Sequence, residues 1–170
     1  NNGSYEEAFS ITTDDPLSED TVHEFKIKAT AYNQNKIIVQ SNVAAYNDQE
    51  SKVNVSISGD ESITSFEFDI TPDNSNIALV NSSPKLLNTS TDHVISSSIL
   101  TNDQGKNYLK VISYSPTNAV FTQPIGDIVE FAVKPTELSP GNYNLNISNP
   151  VLVNSGIIDV TSSTENGSIS

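Results

Sequence analysis

Glu67 and Asp69 stand two residues apart in the run ITSFEFDI. On a β-strand alternate residues share a face, which puts their Cβ atoms about 7 Å apart. Carboxylate pairs at such separations cleave glycosidic bonds. The same spacing occurs on many solvated strands, so it does not by itself point to catalysis. Acyl transfer needs a nucleophile, a base and an orienting group. Serines are plentiful, but the only histidines are His23 and His93, and no Gly-x-Ser-x-Gly elbow is present. Asp92 precedes His93, yet neighbours along a strand point to opposite faces. His93 is expected to open a strand and to hydrogen-bond locally. No catalytic residue is assigned, and the chain is not expected to be an enzyme.

Three oxygen-rich stretches have the chemistry of calcium ligands: Asp14-Asp15, Asp73-Asn74-Ser75-Asn76 and Asn102-Asp103. None has the EF-hand spacing, and ordinary turns use the same side chains. Calcium is the one cofactor left open. Sugar binding on a sheet uses flat rings. The chain has no tryptophan, which leaves Tyr46, Tyr108, Tyr114 and Tyr143. Tyr108, Lys110, Ile112 and Tyr114 share one face of a strand, and Leu109, Val111, Ser113 and Ser115 share the other. Either face could be the buried one. The strand continues into Ser115-Pro116-Thr117-Asn118 and emerges at Phe121. Pro116 removes a ladder donor and Asn118 suits a turn. The stretch therefore reads as a strand exit that returns Phe121 to the core, with a ligand loop as the alternative.

The elements that hold these residues are strands. The chain has 170 residues, 35% of them hydrophobic and 17% charged. Much of the remainder is Asn, Ser and Thr, which compete for the helix backbone and favour turns. Two-residue alternation recurs in HEFKIKATAY, NKIIVQSNVAAY, KVNVSIS, ITSFEFDI, HVISSSIL, NYLKVISYS, DIVEFAVKP and LSPGNYNLNIS. IALVNSS, PVLVNSGIIDV and the terminal NGSIS add shorter strands. Turn residues separate them about every ten residues, the pattern of a two-sheet antiparallel sandwich. Residues 1–35 read as an extension or linker, with a short strand at Ala8 to Ile11 and another at about 22–32. Residues 36–170 read as the domain.

The formal net charge is -13. Nucleic acid and anionic membrane surfaces are therefore not expected as partners. The absence of cysteine excludes disulfides and thiolate metal sites. With no methionine to start it, the chain is expected to be a piece of something longer. No apolar run is long enough to span a membrane as a helix.

From Lys36 onward, the order of KIIVQSNVAAYNDQESKVNVSIS, SITSFEFDI, TDHVISSSIL, YLKVISYSPTNAVF, GDIVEFAVKP, LSPGNYNLNISNPVLV and VTSSTENGSIS resembles a cohesin domain. The middle segments are most similar to cohesin-like domains of secreted and surface proteins of the Bacteroidetes. The resemblance implies a nine-stranded jelly roll, related in fold to some carbohydrate-binding modules. It also implies a non-enzymatic, monomeric module of a larger extracellular protein. The segment before Lys36 is additional to the family pattern. Cohesins hold dockerins on one sheet, built from their strands eight, three, six and five. Carried over by position, that face would present Glu67 and Asp69, His93 and Ser97, Lys110 and Tyr114, and Asn144 and Asn146. The expected partner is a dockerin-like or surface protein. A polysaccharide is the alternative ligand, and a structural spacer the alternative role.

Overall fold

The computed structural model describes residues 4–12, 22–30, 34–87, 92–122 and 125–170. The chain divides into two compact units, Asn1–Asn33 and Gln34–Ser170. In the first, β1 (Ser4–Thr12) pairs antiparallel with β2 (Val22–Thr30). The strand expected at Ala8 to Ile11 is thus longer at both ends. Asp14-Asp15 lies outside the described residues.

The second unit is a sandwich of two sheets. One contains β3 (Lys36–Val39), β4 (Ser51–Ser58), β6 (Ile77–Leu79), β7 (Lys85–Leu86), β10 (Gly126–Pro135) and β12 (Ser163–Glu165). The other contains β5 (Ile63–Pro72), β8 (Val94–Thr101), β9 (Asn107–Tyr114), β11 (Tyr143–Asn154) and β13 (Gly167–Ile169). The five-stranded sheet runs in the order β13-β11-β5-β9-β8. Among the described strands of the sandwich, pairing is antiparallel except where β12 lies parallel to β3. The short strands β6, β7, β12 and β13 raise the count above the nine expected.

Alternation places the core between the sheets. Val53, Val55, Val129, Phe131 and Val133 come from one side, and Phe66, Phe68, Ile70, Leu109 and Val111 from the other, all buried. Each such side chain contributes about 1.5–3 kcal/mol of transfer free energy when fully buried. Phe121 is buried with them, 5.7 Å from Phe66 between ring centroids. The run NKIIVQSNVAAY is not one strand. It leaves the first sheet after Val39, turns through Asn42 at φ 57°, and bridges from Val43 to Ile169 in the other sheet. The closing chain makes the matching switch at Gly167, where a Cβ would lie 2.4 Å from the Gln40 carbonyl oxygen. Only glycine permits so close a backbone approach.

Two other runs also differ from expectation. LSPGNYNLNIS and PVLVNSGIIDV share a single long strand, β11, which passes through Asn149-Pro150 as a bulge. Asn149 takes φ 49° there and Pro150 supplies no ladder donor. At Ser115-Pro116-Thr117-Asn118 the chain leaves β9 as expected. Asn118 adopts φ 58° and its N–H reaches the Ser115 carbonyl at 3.2 Å.

Candidate functional site

The outer face of the five-stranded sheet is set by what lies beneath it. Phe66, Phe68 and Ile70 of β5 are buried, and so are Leu109, Val111 and Ser113 of β9. The residues between them face outward. Register then assembles three rows across β8, β9, β5 and β11. The first is Val94, Tyr114, Ser65, Val153. The second is Ser96, Ile112, Glu67, Val151. The third is Ser98, Lys110, Asp69, Ser148. The strand whose buried face the sequence left open therefore shows Tyr108, Lys110, Ile112 and Tyr114 to the outside.

Lys110 sits between two acids. Its ammonium donates to Glu67 Oε1 and, at 3.2 Å, to Asp69 Oδ1. Asp69 Oδ2 accepts from Asn149 Nδ2 at 2.7 Å. The Asp69 side chain is only 5% exposed, against 28% for Lys110. A carboxylate this buried needs its charge and its lone pairs matched. Lys110 supplies the charge, and the bulge in β11 supplies the amide. The hydrogen bond to Glu67, and then the bond to and charge of Asp69, raise the pKa of Lys110 above the usual lysine range, against the opposing effect of burial. The cluster carries one net negative charge.

Toward both ends of β8 and β9 the face also carries exposed apolar side chains. Tyr114 is 48% exposed and Val94, directly opposite it, 43%. Leu100 is 40% exposed, opposite Tyr108.

Of the eight positions expected to face outward, Glu67, Asp69 and Lys110 are in contact, and Tyr114 lies two rows away on the same face. Asn144 and Asn146 belong to the same strand face near its far end, where each ties down a neighbour. Asn144 donates its N–H and its amide to Asp73 Oδ2, at 2.9 and 3.0 Å. Asn146 Oδ1 accepts from Asn166 Nδ2 at 3.2 Å. His93 and Ser97 do not face outward. Ser97 pairs with buried Val111 on the inner side of β8, and its hydroxyl donates to the Asn81 carbonyl at 3.3 Å. The His93 side chain is fully buried and stacks on Phe121 with ring centroids 3.7 Å apart. The outward residues of β8 are the even-numbered ones. Asn149 is the contributor that the sequence did not single out. An Asn-Pro pair inside an alternating run is the signal for such a bulge.

At the end of β9, Asp92, His93 and Ser115 come together, but not as a catalytic triad. Ser115 Oγ donates to Asp92 Oδ2 at 3.1 Å, and His93 Nδ1 lies 3.8 Å from Asp92 Oδ1. The serine thus bonds the carboxylate, and the imidazole is packed on a core phenylalanine. Thr117 also donates to Asp92 Oδ2. That bond, then those from Ser115 and the nearby His93, lower the pKa of Asp92 against the effect of burial. Ser115 Oγ in turn accepts from the Ala119 N–H at 2.7 Å. The cluster is the lock of the strand exit.

The two described oxygen-rich loops use their oxygens for turns. Asn74 Oδ1 accepts from the Asn76 N–H at 2.8 Å. Asn102 Oδ1 accepts from the N–H groups of Gln104 and Lys106, both at 3.0 Å. Among the described residues no group of three or more acidic, histidine or cysteine side chains could hold a metal ion.

No family model matches the sequence, and no curated protein matches it. Solved structures do match. A non-cellulosomal cohesin from Archaeoglobus fulgidus superposes with a TM-score of 0.63 at 14% identity, over 81% of this chain and 90% of that one. The sixth cohesin of Acetivibrio cellulolyticus scaffoldin B, solved in complex with a mutant Cel5 dockerin, gives 0.64 at 17% identity, over 81% and 98%. A type II cohesin domain from the cellulosome of the same organism gives 0.59 at 12% identity, over 81% and 95%. The sandwich therefore has the cohesin fold.

Proposed function

We propose that this cohesin-fold chain is a non-catalytic attachment module of a secreted or cell-surface protein, and that it holds a dockerin-like protein on the outer face of its five-stranded sheet. One observation carries the proposal. Exposed Tyr114 and Val94 lie in register beside the fixed Glu67–Lys110–Asp69 cluster. Aromatic and aliphatic anchors near a partly buried, hydrogen-bonded charge cluster are what a specific protein interface uses. Some of the cohesins of this fold were solved with dockerins bound. The net charge of the chain favours a basic partner surface and faster encounter at low salt.

The test is calorimetric titration of a panel of dockerin modules into the chain, followed by variants of both sheets. Tyr114→Ala is expected to weaken the bound partner at least tenfold, since interface tyrosines commonly carry more than about 1.4 kcal/mol. Lys52→Ala, on the other sheet, is expected to leave affinity unchanged. A partner that binds equally well to both variants would place the binding surface elsewhere. A glycan array separates the carbohydrate alternative. Tyr108 and Tyr114 stand six residues apart, about 20 Å by strand rise, with Lys110 and Ile112 between them. They do not form one continuous platform for sugar rings.

A further inference from the structure

We propose that β8 is a self-association edge, and that two copies of this chain pair through it, antiparallel about a two-fold axis at Ser97. The proposal does not rest on the dockerin-like partner, and it replaces the expected monomer with a dimer.

β8 ends its sheet. It pairs with β9 at all eight positions without a register shift, and no backbone hydrogen bond joins its other edge to any described residue. Folded proteins usually blunt such an edge with a charge, a proline, a bulge or a very short strand. The sequence VISSSILT has none of these. The other edges of the sandwich are short. β6 and β12 have three residues each, β7 has two, and β13 has three and is covered by Val43. Among the described strands of the sandwich, β8 alone offers a long bare edge.

The sequence of that edge reads nearly the same in both directions. Val94-Ile95-Ser96-Ser97-Ser98-Ile99-Leu100 is a palindrome of residue types centred on Ser97. An antiparallel pair with Ser97 opposite its own copy sets Val94 against Leu100, Ile95 against Ile99 and Ser96 against Ser98. Side-chain parity is kept, because each of these pairs joins residues of the same face. Val94 and Leu100 are the two exposed aliphatics of β8, and they meet on the outside. Cross-strand apolar pairs are the unit that stabilises such a ladder. The strand bears no charge although the chain carries -13, so no like charges face each other along it. The contact is isologous, so it closes at two copies and does not grow into a fibre. An interface made of one strand pair is small, which places it in the weak, concentration-dependent class.

Sedimentation equilibrium of the chain across a wide concentration range tests this. A monomer–dimer equilibrium is expected. Val94→Lys and Leu100→Glu should each weaken it more than tenfold, because each removes both outer apolar pairs of the symmetric dimer. Circular dichroism should show both variants folded, as the positions are exposed. Mixing the two variants should restore dimer as a heterodimer, in which one pair becomes Val–Leu again and the other brings the introduced lysine and glutamate together. A chain that stays monomeric at every concentration overturns the proposal. So does a dimer that is indifferent to both substitutions, or a mixture that shows no recovery. Pairing of the edge with an extended peptide of another protein, and not with a second copy, would also overturn it.

Discussion

The outer faces of the two sheets carry the same kind of charge cluster in opposite arrangements. On the five-stranded sheet one lysine lies between two acids, Glu67 and Asp69. On the six-stranded sheet one acid, Glu130, lies between Lys52 and Lys85 at 3.2 and 3.0 Å. The chemistry is similar but the environment is not. Lys52 is 66% exposed, whereas Asp69 is almost fully covered. Exposed ion pairs form and break in water at little cost. A covered one fixes its side chains in place and is expensive to disrupt. The large exposed hydrophobics that lie on strands divide in the same way, while Tyr46, Leu87, Val120, Ile157 and Ile158 lie on connections. Tyr114, Val94 and Leu100 all belong to strands of the five-stranded sheet. On one face both flanking charges are solvated, and on the other, one flanking charge is buried and held in place.

The comparison breaks most decisively on removal of one lysine from each cluster. Lys110→Met leaves Asp69 buried with only Asn149 to satisfy it. The expected loss is about 2 kcal/mol, below the full cost of a buried pair because Lys110 retains some solvent. Lys85→Met removes one of two exposed partners of Glu130 and should cost less than about 0.5 kcal/mol. Urea denaturation of both variants measures the difference. Equal losses would mean that the two clusters are alike and that the five-stranded face is not preorganised.

A smaller effect probes the inner side of the same strand. Ser113 is fully buried against the Phe66 strand, and its hydroxyl has no hydrogen-bond partner among the described residues. A buried unsatisfied hydroxyl costs free energy that alanine does not. Ser113→Ala should stabilise the chain by about 1 kcal/mol, with the outer face unchanged. A destabilised variant would show that the hydroxyl is satisfied and that β9 is held from both sides.

The strands were legible in the sequence because burial on one face imposes a period of two. KVNVSIS and SFEFDI show it cleanly, and their buried apolar residues are where the alternation put them. In DIVEFAVKP, Val129, Phe131 and Val133 are buried on that period, but the register shift between Asp127 and Val129 buries Ile128 as well. The inner face of β9 was not legible from its own residues, because both of its faces mix aliphatic and polar side chains. It is decided by β5, whose phenylalanines must lie opposite Val111 and Ser113. β8 is ambiguous for a related reason. A palindrome of aliphatics and serines puts both kinds on either face, so His93 and Ser97 were placed outward, whereas Ser97 pairs with buried Val111 and the His93 ring packs on buried Phe121. The bulge at Asn149 was hidden because Asn-Pro more often ends a strand than bends one. The contacts of Asp92 with Ser115 and Thr117 span more than twenty residues. No local pattern encodes them.

The smallest expected effect separates the two clusters by pH. Glu130 has its pKa lowered, first by the hydrogen bond from Lys85 and then by Lys52, against the effect of burial. A carboxylate depressed in the folded state contributes stability above its unfolded pKa, about 4.3, and loses that contribution as the pH falls through the folded value. Lys110 is raised in the folded state. Its contribution is complete below the unfolded lysine value, about 10.4, and is lost as the pH rises through the folded one. The two faces therefore weaken at opposite ends of the scale. The small deficit of Glu130→Gln relative to the parent should be present at neutral pH and vanish in acid. The deficit of Lys110→Met should persist at neutral pH and shrink above about 10.4. Thermal unfolding of the parent and both variants across the pH range reads both trends. A Lys110→Met deficit unchanged in strong alkali would mean that this lysine packs on the face and does not hold it by charge, and the distinction between the two faces would then rest on burial alone.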